Sequence, residues 1–219
     1  MTYGGSDAVR SPYEDALGAS LNGLHPRLRA YFSAIPRGSV GIGSGVFDTV
    51  GTPKRWLWPL LRLFSGEQIM FPLWRRAVPF TVVNRPSTGL DGTPAVSATR
   101  TFRFADGEQV MVDLITSGEA GSGIVVDDLG RSGRVVSILE ASVADGALRL
   151  RSTAVTIRIM GLALRIPSGL APVVTLHERW DERTEEQCVA VVVEAPVLGR
   201  LYEYAGRFTY AIRPGEATP

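Results

Sequence analysis

The chain has 219 residues, of which 45% are hydrophobic and 21% are charged, enough to bury a sizeable core without disulfides or metals. Its net charge of +1 and pI of 7.9 argue against nucleic-acid binding, which usually shows as a basic stripe or a domain pI above roughly 9. One cysteine and two histidines exclude an intramolecular disulfide and form no zinc motif, so we expect no metal.

The N-terminal part of the chain predicts a tail and two short helices. Residues 1–10 are small and polar and contain no apolar signal-peptide region. Ser11, Pro12 and Glu14 form a capping box with proline at the first helical position, and this helix is predicted to run to about residue 22. A second helix is predicted over 25–32. No stretch reaches the ~18 uncharged apolar residues of a membrane span, so we expect a cytoplasmic protein.

A glycine-rich stretch follows, with Gly41, Gly43 and Gly45. A dinucleotide-binding motif would need a strand before it, a helix after it and a repeating βαβ pattern, which the chain does not offer. The glycines instead predict a bent strand or a close approach of two backbones.

Residues 54–76 form a basic segment rich in tryptophan. They include three of the four tryptophans and five basic residues but one acid, Glu67. Three interpretations stay open: a helix packed on the domain, a lid over an apolar cavity, and peripheral contact with a membrane. Trp58 is a predicted ligand contact.

From Val78 onward the sequence alternates with period two, and turn residues separate the apolar runs. Strands are predicted at 124–129, 134–143, 147–159, 162–166, 172–180, 188–194 and 201–212, besides those around Phe102 and Val112. Nine or ten strands without intervening helices predict a mainly β protein, a single antiparallel barrel or strongly curved sheet with the N-terminal helices packed on it or over its mouth. We predict one domain over 11–214, with tails at 1–10 and 215–219.

Alternation also assigns side chains to faces, because successive strand residues point to opposite sides. Glu178 and Trp180 share the apolar face of their strand, while His177 points outward. Arg100 shares a face with Phe102. The facing of Glu140 stays open.

Two charged residues on inward faces, Arg100 and Glu178, allow two interpretations. They could form a buried structural pair, since an unpaired buried charge costs several kcal/mol. Alternatively, Arg100 would contact a carboxylate or enolate oxygen of a ligand, and Glu178 would transfer a proton with its pKa raised by burial. Tyr202 and Tyr204 also face inward, and their hydroxyls need partners in the core or on a ligand.

Many short motifs along the chain resemble those of an uncharacterised bacterial domain family of unknown function. The resemblance covers about residues 24–210 and is carried by Gly45-Val46-Phe47-Asp48-Thr49-Val50-Gly51, Val78-Pro79-Phe80, Arg100-Thr101-Phe102, Asp127-Asp128-Leu129-Gly130, Glu178-Arg179-Trp180-Asp181 and Gly199-Arg200-Leu201-Tyr202-Glu203-Tyr204. This family occurs alone or fused behind saccharopine-dehydrogenase-like NAD(P)-binding domains. The resemblance transfers no catalytic residue, but its motif positions include Asp128, a further candidate.

The sequence therefore predicts a barrel that holds a lipophilic small molecule, polyketide-like or lipid-like. We favour a cofactor-independent cyclase or isomerase of specialised metabolism, because charged core residues cost stability that a passive carrier need not sacrifice. A non-catalytic carrier or a membrane-associated binding module is the alternative. The predicted catalytic residues are Glu178 and Arg100, and the predicted ligand-binding residues are Tyr202, Tyr204, Phe102, Trp180, Asp128 and Trp58.

Overall fold

The computed structural model of the protein describes residues 10–89, 91–159, 161–167 and 169–215. Most of the two predicted tails, residues 1–9 and 216–219, lie outside the described residues. The helices are α1 (Pro12–Leu17), α2 (Pro26–Phe32) and α3 (Trp58–Ser65), with 3-10 turns at Gly18–Gly23 and Arg55–Leu57. The strands are β1 (Ser39–Gly51), β2 (Trp74–Thr88), β3 (Pro94–Phe104), β4 (Gly107–Ser117), β5 (Ile124–Leu129), β6 (Val135–Ala144), β7 (Ala147–Ile159), β8 (Leu162–Arg165), β9 (Val173–Asp181), β10 (Glu186–Ala195) and β11 (Gly199–Pro214).

The strands form a closed antiparallel barrel, which confirms the predicted fold class. Ten strands pair in the order β6-β5-β4-β3-β2-β1-β11-β10-β9-β7, and β6 pairs with β7 to close the ring. The strand β8 folds back on the end of β7 and lies outside the ring. Because the ring is closed, each of the ten strands pairs with a neighbour on both sides over at least part of its length.

The glycines of β1 allow this strand to approach β11 closely. A Cβ atom on Gly45 would lie 1.9 Å from the carbonyl oxygen of Arg207, and one on Gly41 would lie 1.6 Å from the Tyr210 hydroxyl. The pairing register between β1 and β11 shifts between Phe47 and Thr49, which bends the strand. The predicted bent strand with a close backbone approach is confirmed.

The N-terminal helices close one end of the barrel. The predicted capping box is present, since the Ser11 hydroxyl accepts from the Tyr13 amide and Glu14 Oε2 accepts from the Ser11 amide. The helices are held to the turns between strands: the His25 amide donates to the Gly146 carbonyl, and the Gly121 amide donates to the Asp15 carbonyl. Apolar side chains of α1 and α2 then pack into the barrel against β4 to β7, among them Leu28 and Phe32.

The segment after β1 closes the other end, which we call the α3 end. The strand directions place four parts of the chain at the α3 end, besides residues 52–73 themselves: the turns around 105–106, 130–134 and 195–199, and the described part of 161–172. Leu57 and Leu61 of the helical region pack inward, and Ile69 packs against Val135 and Val155. The Gln68 carbonyl accepts from the Val112 amide, which ties this segment to the barrel wall.

An aromatic cluster fills much of the interior next to this end. The ring centroid of Phe102 lies 5.4 Å from those of Phe47 and Phe71, and Phe47 stacks on Phe80 at 3.7 Å. These large rings leave limited free space inside the barrel. None of the helices in the described ranges is long and apolar enough to cross a membrane.

Candidate functional site

A cavity of about 100 Å³ lies inside the barrel between the aromatic cluster and strands β4 to β7. This volume corresponds to roughly three water molecules at about 30 Å³ each. Most of its wall is apolar, and residues 68–70 close it at the α3 end. Besides Gln68, its polar lining residues come from α1 and five strands, and they are Tyr13, Arg100, Asp113, Asp127, Ser137, Tyr202 and Tyr204.

A salt bridge between Arg100 of β3 and Asp113 of β4 forms the charged part of the cavity wall. The two residues sit on neighbouring strands, since Arg100 is the register partner of Met111. The Asp113 side chain is only 3% exposed. The Arg100 side chain is 21% exposed, and Arg100 lines both this cavity and a smaller neighbouring one. Burial opposes the charge of Arg100, but Asp113, Tyr204 and Tyr31 together outweigh it, so the pKa of Arg100 lies above its ordinary value.

Asp127 and Ser137 face the same cavity from β5 and β6. They are direct register partners, so their side chains project side by side. In the described part of the chain, Asp127 Oδ1 and Ser137 Oγ are buried without a hydrogen-bond partner. Burial, and secondarily the charge of Asp113, raises the pKa of Asp127 well above its ordinary value, and we therefore expect a neutral carboxylic acid there. A buried polar group without a partner costs about 1–3 kcal/mol, which a ligand that bonds to it would recover.

Glu178 faces inward from β9, as predicted, while its neighbour His177 is exposed. The Gln187 side chain of β10 donates to Glu178 Oε2, and Arg100 pairs with Asp113, so the predicted direct pair of Arg100 and Glu178 is wrong. Burial raises the pKa of Glu178 to about 7, although the Gln187 hydrogen bond and the charge of Arg100 act against the shift. Its side chain lies behind the cavity wall rather than in it.

The raised pKa of Glu178 predicts a stability that falls as the pH rises. The folded state holds the proton more tightly than the unfolded chain, so stabilisation is complete below the ordinary pKa of 4.5 and is lost as the pH passes about 7. Glu178→Gln keeps an acceptor for Gln187 but cannot ionise, and it should therefore lose less stability between pH 5 and pH 8 than the wild type does. Between pH 5 and pH 8 the free energy of unfolding of the wild type should fall by on the order of 3 kcal/mol more than that of the variant, as measured by urea unfolding. Parallel curves would show that Glu178 does not titrate in this range.

Tyrosine hydroxyls surround the charged groups. Tyr204 of β11 lines the cavity, and burial raises its pKa to about 12, with Arg100 acting in the opposite direction. Tyr202 also lines the cavity and faces inward as predicted. Tyr13, which α1 inserts from the N-terminal end, is a cavity residue that the sequence did not indicate.

The other four predicted ligand contacts lie away from the cavity. Phe102 belongs to the aromatic cluster, and Trp58 donates from its indole to the Thr52 carbonyl at 3.2 Å. Trp180 is stacked on His25 near the N-terminal helices, with ring centroids 5.6 Å apart. Asp128 points out of the barrel and pairs with Arg158 at 2.6 Å. Their binding roles stay predictions, and the structure brings together only Arg100, Tyr202 and Tyr204 around the cavity.

Residues 24–208 match one protein family, described as a domain of unknown function, DUF4166. The chain belongs to this family. The family match therefore spans nine of the ten barrel strands and the first ten residues of β11, together with α2 and α3. The fusion to dehydrogenase-like domains and the bacterial origin stay predictions. No curated protein and no solved structure matches the chain significantly.

Proposed function

We propose that the barrel binds a small molecule with an apolar body and a carbonyl or enol oxygen, and isomerises or cyclises it by proton transfer without a cofactor. The observation that carries this proposal is the pair of unpartnered polar groups, Asp127 and Ser137, side by side in a mostly apolar wall and near the charge of Arg100. A neutral carboxyl and a hydroxyl side by side are two donors for one ligand oxygen. The apolar remainder of the wall suits a lipophilic body.

The three groups at the polar wall have distinct roles in this proposal. Asp127 donates its proton to the ligand carbonyl oxygen, and the charge of Arg100 stabilises negative charge that develops there. The Asp113 carboxylate accepts a proton from the carbon next to the carbonyl, and an enol results. When the enol is conjugated with a carbon–carbon double bond, Asp113 returns its proton to the distal carbon while the enol O–H proton returns to Asp127, which gives the isomer and restores both groups. For a ring closure the enol carbon attacks an electrophilic carbon of the same molecule, and the O–H proton again returns to Asp127.

The size of the cavity restricts the ligand. A volume of about 100 Å³ is below the ~300–1,000 Å³ of pockets that enclose drug-sized ligands. A polyketide-like or lipid-like molecule therefore requires residues 68–70 to move away from the cavity. Gln68 has a left-handed backbone with φ 60°, which costs a residue other than glycine about 1–2 kcal/mol in its present position.

Binding is tested by native mass spectrometry of the purified chain, followed by denaturing extraction. We expect an added mass that is absent from Asp127→Leu, because the leucine removes the hydrogen-bonding group and fills the site. A compound that is retained equally by both proteins would place the binding site elsewhere.

Proton transfer is tested with cyclopentanone in D₂O, with exchange of the hydrogens next to the carbonyl followed by NMR. Wild-type protein should accelerate the exchange, and Asp127→Asn should slow it by about 10²-fold or more, because the amide cannot donate an acidic proton. Glu178→Gln is the matched control, because Glu178 does not line the cavity. Loss of exchange in this variant would assign the proton-transfer role to Glu178, as the sequence predicted. Binding without any exchange would favour the non-catalytic carrier.

A further inference from the structure

Exposed apolar side chains are concentrated at the α3 end of the barrel. The described ranges contain eleven large hydrophobic side chains that are exposed, and only Val46, Ile138 and Ile212 lie elsewhere. The other eight share the α3 end: Trp56, Leu60, Leu63, Leu162, Leu164, Leu170, Val197 and Leu198. One hydrogen bond joins two of their segments, since Lys54 Nζ donates to the Leu198 carbonyl at 2.7 Å. A clustered apolar surface of this kind marks an interaction site more often than scattered exposed residues do.

The helical region of residues 55–65 has apolar side chains on both of its faces. Leu57 and Leu61 are one helical turn apart and are buried against the barrel. Trp56, Leu60 and Leu63 follow the spacing i, i+4, i+7 and are 60%, 46% and 69% exposed. A helix that only packed on the barrel would carry polar residues on its outer face. The outer stripe therefore has no role in holding the barrel together.

Arginines flank this apolar stripe. Arg55 and Arg62 are exposed on the helical region itself, and Arg75 and Arg76 are exposed at the start of β2. None of these four forms a salt bridge within the ranges that the structure describes. Most neighbouring carboxylates are already paired: Glu67 with Arg134, Asp128 with Arg158, and both Glu194 and Glu203 with Arg200. Asp106, in the turn between β3 and β4, is a further exposed carboxylate. The surface is thus apolar at its centre and positively charged around it.

We propose that the α3 end docks on the surface of an anionic lipid bilayer, with Trp56, Leu60 and Leu63 inserted at the level of the headgroups. Indole and leucine side chains suit that depth, and the surrounding arginines complement the lipid phosphates. A second copy of the chain would bring the same arginines against each other, which disfavours a symmetric dimer through this surface. The docking is independent of the proposed chemistry, because it needs neither the cavity nor Asp127.

The test is co-sedimentation of the full chain with vesicles of phosphatidylcholine alone or mixed with phosphatidylglycerol. We expect binding to the mixed vesicles only, and weaker binding as NaCl is raised. The double variant Leu60→Ser/Leu63→Ser should lower the partition coefficient by about tenfold or more, because two apolar anchors are lost. Arg55→Gln/Arg62→Gln should weaken both the binding and its dependence on salt.

The matched control is Val46→Ser/Ile138→Ser, which removes two exposed apolar side chains from the barrel wall and should leave vesicle binding unchanged. All variants concern exposed positions, and their melting temperatures verify that they are folded. Absence of binding to the mixed vesicles, or equal binding by Leu60→Ser/Leu63→Ser and Val46→Ser/Ile138→Ser, would overturn the proposal. A dimer that Leu60→Ser/Leu63→Ser dissociates, without vesicle binding by the wild type, would assign the surface to a second copy instead.

Discussion

Arg100→Met is expected to lower the free energy of unfolding by about 3–5 kcal/mol, because it leaves the Asp113 carboxylate buried without a counter-charge. Urea unfolding at pH 7 measures the change. The double variant Arg100→Met/Asp113→Leu should recover most of the loss, because it replaces both charges with apolar groups.

An exposed ion pair on the same two strands is the control for this prediction. Arg103 and Glu108 lie at 3.2 Å, and both side chains are more than half exposed. Arg103→Met should change the stability by no more than about 1 kcal/mol. If Arg100→Met had an equally small effect, the pair on the cavity wall would be reached by bulk water, and the enclosed cavity would be wrong.

Asp127→Leu is expected to have the opposite effect and to raise the free energy of unfolding by about 1–3 kcal/mol. The substitution removes a buried carboxyl oxygen without a partner and places apolar atoms in the 100 Å³ cavity. The same leucine should abolish ligand binding. A gain in stability together with a loss of binding would mean that the carboxyl is retained for function rather than for folding.

The adjacent residue, Asp128, gives a matched control for Asp127→Leu. Its side chain points out of the barrel and pairs with Arg158, so Asp128→Leu should leave binding intact and should not stabilise the protein. A large loss of stability in Asp127→Leu would contradict the interpretation, because it would show that the carboxyl has a structural partner.

Most of the barrel could be predicted from the sequence because strand alternation and turn residues are local signals. The predicted strands at 124–129 and 147–159 agree with β5 and β7. The capping box at Ser11 and the bent glycine strand were likewise visible, since each depends on residues close together in the chain. Barrel closure through β6 and β7 was not, because a curved open sheet has the same local pattern.

The site was predicted only in part, for reasons that β4 and β5 make clear. On β4 the inward set is Met111, Asp113 and Ile115, whereas the alternate set of Val110, Val112 and Leu114 is the more apolar. On β5 two aspartates are adjacent, and only the three-dimensional register shows that Asp127 is the inward one. The available signal was the alternation along β5, which places Asp127 on the same face as Val125 and Leu129. The partner of Arg100 is also a matter of cross-strand register, which the sequence of one chain does not specify.

The pairing of β1 with β11 has a consequence for how the chain reaches its native state. Ser39 pairs with Pro214, so the ring cannot close before β11 has been synthesised. Contacts between residues so far apart in sequence are slow to form, and barrels of this kind fold on time scales of roughly milliseconds to seconds. Until β11 is in place, β1 and β10 each expose an unpaired edge that can pair with other chains. Nascent or C-terminally truncated chains should therefore aggregate readily and depend on chaperones, while the completed ring resists such pairing.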